Sequence, residues 1–441
     1  MAQLAFALCL GFILFALRQD IKESRRISYF LWVPFIWLAV SMSKPFTLWI
    51  YPNLAAGERT EYDFIQGDST ERTFLLILIC AGLIALYKKR HLFSVYFRDN
   101  IYLYAFYLYA FVSISWSDYQ GVSVKRWVKA VSNVIMVLVI LTEDEQGEAI
   151  DHILRRCAIV LVPLSVFFIK YYPQIGIQYS AEGTRMWVGV SGQKNGLGLL
   201  CALIGIYFIW RLTKEWPKPS FLDGFLFLLT LYLMRGSHSA TSYIIFVVGI
   251  LILALEGWLK SDRKKLNRVV IITLFLLAIA ITISGQTVSS AFFSVAGRDP
   301  SFTGRLPLWT ELIKIGSRSP IFGVGYGNFW IVHLREMWTQ FNWRPLNGHN
   351  GYIDIFLDLG LVGLALLLFL IVQTYRKAIQ SIGTNGKING LLFVFLIMIL
   401  LHNFTESSLG KEAHFLWLLF LLSSVVVVKK SPYLDVQSQQ E

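Results

Sequence analysis

Charge is scarce in this chain of 441 residues: 15% are charged and 55% hydrophobic, whereas a soluble domain carries about 25% charged residues. With a mean hydropathy of +0.56, that scarcity excludes a soluble protein and indicates an integral membrane one. Length alone would allow several soluble domains of about 100–200 residues each. Apolar runs, however, recur about every 30 residues from end to end, so one polytopic bundle is the better reading and no separate soluble core remains. Cysteine is nearly absent too. The four, Cys9, Cys80, Cys157 and Cys201, lie in apolar runs without paired ligand spacing, which indicates neither a disulfide framework nor a zinc site, and they read as small core residues. No long internal repeat, low-complexity tract or heptad array occurs, and only the polar tail from 431 to 441 looks unstructured. Met1 to Leu17 lacks a basic n-region and a small-x-small cleavage site, and so reads as a retained first span.

What is present is basic: Lys+Arg 40 against Asp+Glu 28 gives a net charge of +12. The basic residues sit between the apolar runs, where they fix orientation and touch anionic headgroups, so nucleic acid is discarded as a partner. Roughly thirteen spans follow at about 18–22 residues each, near 2–17, 28–48, 73–88, 100–116, 123–142, 152–171, 195–212, 221–234, 240–259, 267–284, 351–374, 388–406 and 413–428. The expected fold class is all-α, a polytopic transmembrane helix bundle. Clusters at Arg18/Lys22/Arg25/Arg26, Lys88/Lys89/Arg90, Lys260/Arg263/Lys264/Lys265/Arg268, Arg376/Lys377 and Lys429/Lys430 fall on alternate loops, which the positive-inside rule puts in the cytoplasm. The external segments are then 49–72, 117–122, 172–194, 235–239, 285–350 and 407–412. The chain divides into N-terminal spans 1–284, a periplasmic loop 285–350, C-terminal spans 351–430 and a cytoplasmic tail 431–441. The loop is far longer than the other connections, and its Trp309, Trp330, Trp338, Trp343, Phe322 and Tyr326 are the aromatic load of something packed. Helical spacing of Leu308, Trp309, Leu312 and Ile313 after Pro307 predicts an amphipathic helix over 306–316, docked on the bundle or on lipid.

Two anomalies point to chemistry. The first is basic residues on the external side, which translocation disfavours and which call for an anion: Lys125, Arg126 and Lys129, Arg185 and Lys194, Arg235, then Arg298, Arg305 and Arg318. Lys125 and Lys129 share a helix face and repel unless a counter-ion lies between them. A diphosphate would serve, because arginine offers a planar fork to two oxygens and lysine adds a point charge. Headgroup anchoring, or pairing with Glu182, Asp299 or Glu311, is the open alternative for each. The second anomaly is Gly348-His349-Asn350-Gly351 where the long loop meets a span. A neutral imidazole beside an arginine-held diphosphate can act as base for a sugar hydroxyl; a cap or interfacial role is the alternative. Asn350, Asp354 and Asp358 follow on one face, to orient His349, to hold an arginine, or to pack against polar neighbours. Gly323-Val-Gly-Tyr-Gly327 lacks the lysine of a phosphate loop and reads as a turn that lets backbones approach. Asn403-Phe-Thr405 is an accidental sequon at a span end. His238 and Glu406 face the external side, where a structural role is the favoured reading of both.

Thr303-Gly-Arg305 with Leu308-Trp309, then Ser319-Pro-Ile-Phe-Gly-Val-Gly-Tyr-Gly327, then His349-Asn350 running into Asp358-Leu-Gly-Leu-Val-Gly363 resembles, in order and spacing, the O-antigen ligase and Wzy-type polysaccharide polymerase superfamily. Arg185 ahead of Gly192-Gln-Lys-Asn195, and Trp116-Ser-Asp118, also resemble family positions and favour the exopolysaccharide polymerase branch. The resemblance implies a metal-independent glycosyltransferase of the bacterial inner membrane without a cofactor, using an undecaprenyl-diphosphate-linked glycan donor and a glycan acceptor on the periplasmic side, in company with a chain-length regulator and a flippase. Arg185 and Arg305 would grip the diphosphate and His349 would take the acceptor proton, with Lys194, Arg126, Asn350 and Trp309 as candidate substrate-binding residues. Lys194 departs from the family pattern, where a more variable, often polar residue is expected. Competing readings are a lipid-linked oligosaccharide flippase or other transporter, a ligase acting on lipid A core, and a metal-dependent transferase using a carboxylate among Glu58, Glu61, Asp63, Asp68 and Glu71. Missing repeat symmetry argues against the transporter.

Overall fold

Hydrocarbon offers no hydrogen bonds to a peptide group, so apolar runs of this length must satisfy their backbones internally and become helices. The computed structural model describes residues 1–24, 27–50, 68–88, 100–179, 183–213, 220–259, 262–283, 302–341, 343–383, 388–412 and 414–425. Its helices are α1 (Ala2–Glu23), α2 (Trp32–Ser41), α3 (Phe46–Ile50), α4 (Ser69–Lys88), α5 (Ile101–Val112), α6 (Gln120–Leu141) and α7 (Gln146–Tyr171). After the strands β1 (Ile177–Tyr179) and β2 (Arg185–Trp187) come α8 (Lys194–Thr213), α9 (Phe221–Ser237), α10 (Ala240–Leu259) and α11 (Arg263–Ile283). The long loop holds α12 (Phe302–Gly316), α13 (Phe329–Val332) and α14 (Leu334–Gln340), and the chain continues through α15 (Gly351–Ser381), α16 (Asn389–His402) and α17 (Phe415–Val425). Every expected span contains a helix. Among the described residues, six helices (α1, α4, α7, α8, α10 and α15) are long and apolar enough to cross a membrane, which makes this a multi-pass membrane protein.

Several boundaries move. The expected span 28–48 is divided: a 3-10 turn over Tyr29–Leu31 leads into α2, which ends at Ser41, and α3 follows separately. The expected surface helix begins at Phe302, four residues before the predicted start, and docks on protein. Leu308, Leu312 and Ile315 enter a small second core with Phe329, Trp330, Met337 and Leu357. The antiparallel pair β1–β2, in register Tyr179↔Arg185, is a small addition to an otherwise all-α fold. Cysteine burial is uneven: Cys157 and Cys201 are core residues, but Cys80 faces outward from the bundle and Cys9 is only half-buried. Glu58, Glu61, Asp63, Glu182, Arg298, Asp299 and the tail lie outside the described residues.

Of the six long helices α7 and α8 are the most deeply placed, 78% of the apolar stretch of each being buried against 17% for α1 at the periphery, and the shorter α16 and α17 are buried along nearly their whole length. Small residues permit close approach between helices where no water-driven force joins them. A Cβ on Gly198 of α8 would lie 2.7 Å from that of Ser239 and 2.5 Å from the Ser242 hydroxyl, so α8 and α10 meet here only because Gly198 has none. At the end of the bundle away from the long loop, a buried ion network ties α1, α7, α8 and α9 together. Asp20 accepts from His152 Nδ1 at 2.8 Å and Arg156 Nε at 2.7 Å. Asp223 accepts from Arg155 Nε at 3.0 Å and Arg211 Nε at 3.1 Å while closing a capping box with Ser220 at the start of α9. Arg155 also reaches Glu23, and Arg211 reaches Asp151. Such groups persist in an apolar setting only when paired on both sides.

Candidate functional site

The long loop is clasped to α15 by backbone contact. At Gly360 the helix is broken by a non-helical residue (φ 64°, ψ −165°), which frees carbonyls that a continuous helix would occupy. Gly325 N–H donates to Asp358 O at 2.8 Å, Val324 N–H to Leu357 O at 3.2 Å, and Leu361 N–H to Pro320 O at 2.8 Å. Both Gly323 and Gly360 have positive φ, and a Cβ on either would strike the opposing backbone, so glycine is required on both sides. The predicted close-approach turn is therefore real. Tyr326 extends it, its N–H donating to Ser113 Oγ at 3.0 Å and its hydroxyl to Gly410 O at 2.6 Å. Asp358 Oδ1 accepts the N–H groups of Asn328 and Phe329 at 3.1 and 3.0 Å. Asp354 Oδ1 accepts from Trp330 Nε1 at 3.1 Å and Gly348 N–H at 2.9 Å, with Lys411 Nζ 3.2 Å from its other oxygen. Of the three roles open to these carboxylates, both take polar packing: they hold loop backbone and, among the described residues, touch neither the imidazole of His349 nor an arginine.

This framework delivers His349 to one carboxylate. His349 has φ 46°, an unusual conformation for a side-chain-bearing residue, and its N–H donates to Asn347 Oδ1 at 2.9 Å. Immediately after it Asn350 caps α15, its side chain accepting from the N–H groups of Tyr352 and Ile353 at 3.0 and 3.2 Å. Trp309 of α12 donates its indole N–H to Gly348 O at 2.7 Å. The ring then meets Glu406, in the α16–α17 connection, with Nδ1 3.0 Å from Oε2. The other oxygen, Oε1, receives Arg305 Nη2 and Asn195 Nδ2, each at 3.1 Å. Arg305 Nη1 also donates to Thr405 O, and Asn195 Oδ1 accepts the Ser239 hydroxyl at 3.1 Å. Three distant segments thus converge on Glu406, whose side chain is 16% exposed. Burial opposes its ionisation, but the His349 hydrogen bond and charge and the Arg305 guanidinium outweigh that and hold its pKa at about 2.

The predicted site residues separate into groups. Arg305 and His349 share Glu406. Asn350 and Trp309 contact the backbone on either side of His349. Arg126 donates to Gly327 O and has Nε 3.5 Å from Glu412, which ties it to the glycine turn. Lys194 opens α8 next to Asn195. Arg185 stands exposed on β2 and takes no part in the Glu406 cluster. Of the carboxylates considered for a metal, Asp68 Oδ1 accepts from Thr47 Oγ1 at 2.6 Å and from the N–H groups of Thr70 and Glu71 at 2.7 and 3.0 Å, capping α4. The members underrated or missed by sequence reasoning are Glu406, assigned a structural role, and Asn195, quoted only as part of a motif.

A family model described as O-antigen ligase matches residues 224–368, which take in Arg305 and His349. The exopolysaccharide production protein ExoQ of Rhizobium meliloti (strain 1021) is 27% identical over 304 residues, covering 66% of this chain and 68% of that one. Provisionally named polysaccharide ligases of Rickettsia felis and Rickettsia prowazekii are 32% identical over 235 residues and 29% identical over 224. The chain spans about half the length of these rickettsial relatives, 55% and 53%. Fold and relatives together define a multi-pass membrane enzyme of the polysaccharide ligase and polymerase kind. Its likeness is to the O-antigen ligase and Wzy-type polysaccharide polymerase superfamily, and the match to ExoQ lies on the exopolysaccharide side.

Proposed function

We propose that the protein transfers glycan from an undecaprenyl-diphosphate-linked donor to a sugar hydroxyl at the periplasmic face of the bacterial inner membrane, building exopolysaccharide from repeat units. The observation that carries this reading is the His349–Glu406–Arg305 cluster, where the long loop meets the α16–α17 connection. An ionised carboxylate only accepts, so the proton of a neutral His349 ring resides on Nδ1 and Nε2 is left with a lone pair. In the step we infer, the acceptor hydroxyl gives its proton to Nε2 as its oxygen bonds to the anomeric carbon. The bond from that carbon to the diphosphate breaks, and its electron pair leaves with the diphosphate. Glu406 then faces an imidazolium. Of the five N–H groups of the Arg305 guanidinium, two are directed at Thr405 and Glu406, which leaves others for phosphate oxygens. Arg185 and Lys194 supply further cationic charge, and Arg126 sets the adjoining turn. Asn350 and Trp309 act as positioning residues through the backbone around His349. The step uses no metal, and it implies a flippase that delivers donor and a regulator of chain length.

In proteoliposomes with purified lipid-linked donor, His349→Ala is expected to lower transfer about 10²–10⁴-fold with donor binding intact, and EDTA to have no effect. An active variant, or activity abolished by EDTA, would move the chemistry to the first-loop carboxylates. The ligase names of the family model and the rickettsial relatives favour one second reading, transfer to a lipid A core. Gels of glycan from a deletion strain separate the two: loss of high-mass polymer marks a polymerase, loss of sugar from an intact lipid core a ligase.

A further inference from the structure

A tryptophan stands in the open beside the proposed base. Trp343 is 47% exposed, although a side chain of this size usually gains from burial. Its ring centroid lies 5.5 Å from that of His349 with the planes at 49°, and it meets Phe341, part of the second core, edge-on at 6.3 Å. The turn that carries it is braced on both sides. Arg344 adopts a left-handed φ of 51°, donates its N–H to Phe341 O at 3.0 Å, and lays its guanidinium 5.5 Å from the Trp338 ring centre. Trp338 in turn donates its indole N–H to Pro345 O at 3.2 Å. Among the described residues the Trp343 indole N–H donates to no protein acceptor.

A pyranose ring has apolar C–H faces and a polar rim of hydroxyls, and an indole offers it an apolar face together with one N–H donor. A sugar seated on this face has its rim beside the imidazole. Resting on the transfer reading above, we infer that Trp343 is the platform of the acceptor subsite, stacking the acceptor sugar so that its nucleophilic hydroxyl points to His349. The donor needs no such surface at this position, because its diphosphate is recognised by charge. Trp343 therefore governs saturation by acceptor and leaves donor handling alone.

The test titrates the free repeat-unit oligosaccharide, released from its carrier by mild acid, as acceptor against a fixed concentration of lipid-linked donor. Trp343→Leu keeps an apolar side chain without an aromatic face and, at an exposed position, leaves folding intact; it is expected to raise the half-saturating acceptor concentration roughly tenfold, the upper range for a lost aromatic contact. The rate at saturation should stay within about twofold and the half-saturating donor concentration should not move. Trp343→Tyr should restore most of the acceptor dependence. Unchanged acceptor saturation in Trp343→Leu, or equal behaviour of the Leu and Tyr variants, would overturn the platform while the transfer reading stands. Failure of the reading itself shows differently: His349→Ala then transfers as well as wild type, and the platform falls with it.

Discussion

Replacing Glu406 by glutamine tests the cluster with a change of one atom. Among the described residues, Oε1 of Glu406 faces two donors, Arg305 Nη2 and Asn195 Nδ2, whereas Oε2 faces only His349 Nδ1. The single oxygen of a glutamine amide will therefore turn toward the two donors and present its NH2 group to the imidazole. Nδ1 must then accept, which places the ring proton on Nε2, where the base needs a lone pair. Glu406→Gln should consequently lower turnover nearly as far as loss of the base, about 10²–10⁴-fold, with little change in acceptor or donor saturation. Glu406→Asp keeps the charge and should fall between. Initial rates in proteoliposomes, normalised to folded protein by size exclusion, provide the assay. Near-normal turnover by Glu406→Gln at normal protein levels would refute the tautomer argument. The same carboxylate sets an acid limit. Its pKa of about 2 lies below the ordinary value of 4.5, so its contribution to stability is complete above about pH 4.5 and is lost as pH falls from there through about 2.

The other expectations concern the arginines, the clasp and the opposite end of the bundle. Arg305→Lys and Arg185→Lys should each impair transfer severely although charge is kept, since a lysine lacks the planar fork; near-normal polymer from both on gels would reduce them to membrane anchors. Gly360→Ala places a Cβ against the Ile321 carbonyl at a left-handed φ. It should cost about 1–3 kcal/mol and speed protease cleavage of the loop. Asp223→Ala takes one carboxylate from each of the buried Arg155 and Arg211 guanidiniums, leaving them Glu23 and Asp151, and should destabilise the fold by about 1.5–3 kcal/mol, read as a lowered thermal midpoint in detergent.

Span positions were legible because hydrocarbon imposes one pattern on every crossing helix; Arg305 stood out as a cation on the expected external side, where translocation disfavours one, and His349 as a titratable ring where the long loop meets a span. Glu406 did not. Its partners lie 57, 101 and 211 positions away, and a lone acid at the end of a span resembles any other polar terminus. Arg155, Arg156 and Arg211 were hidden in the same way, as basic residues near span ends on the side where such residues are common; only the assembled bundle shows them buried against Asp20, Glu23, Asp151 and Asp223. The β1–β2 hairpin has strands too short for alternation to be read, and Trp343 differed from the other loop tryptophans in nothing that composition records.

The break at Gly360 shifts the boundary between what belongs to the loop and what belongs to the membrane. By backbone hydrogen bonding, the first turns of α15 up to Leu359 are joined to the glycine turn at 323–327, and they carry Asp354 and Asp358, which hold that loop together. A chimera that exchanges the long loop with a relative and cuts at Gly351 would therefore separate His349 from the carboxylates that brace it. A cut after Val362, whose N–H and that of Leu361 complete the clasp, with the segment from α12 onward moved as one piece, transplants the clasp whole and leaves the new loop to meet the host's Glu406 as a single foreign surface.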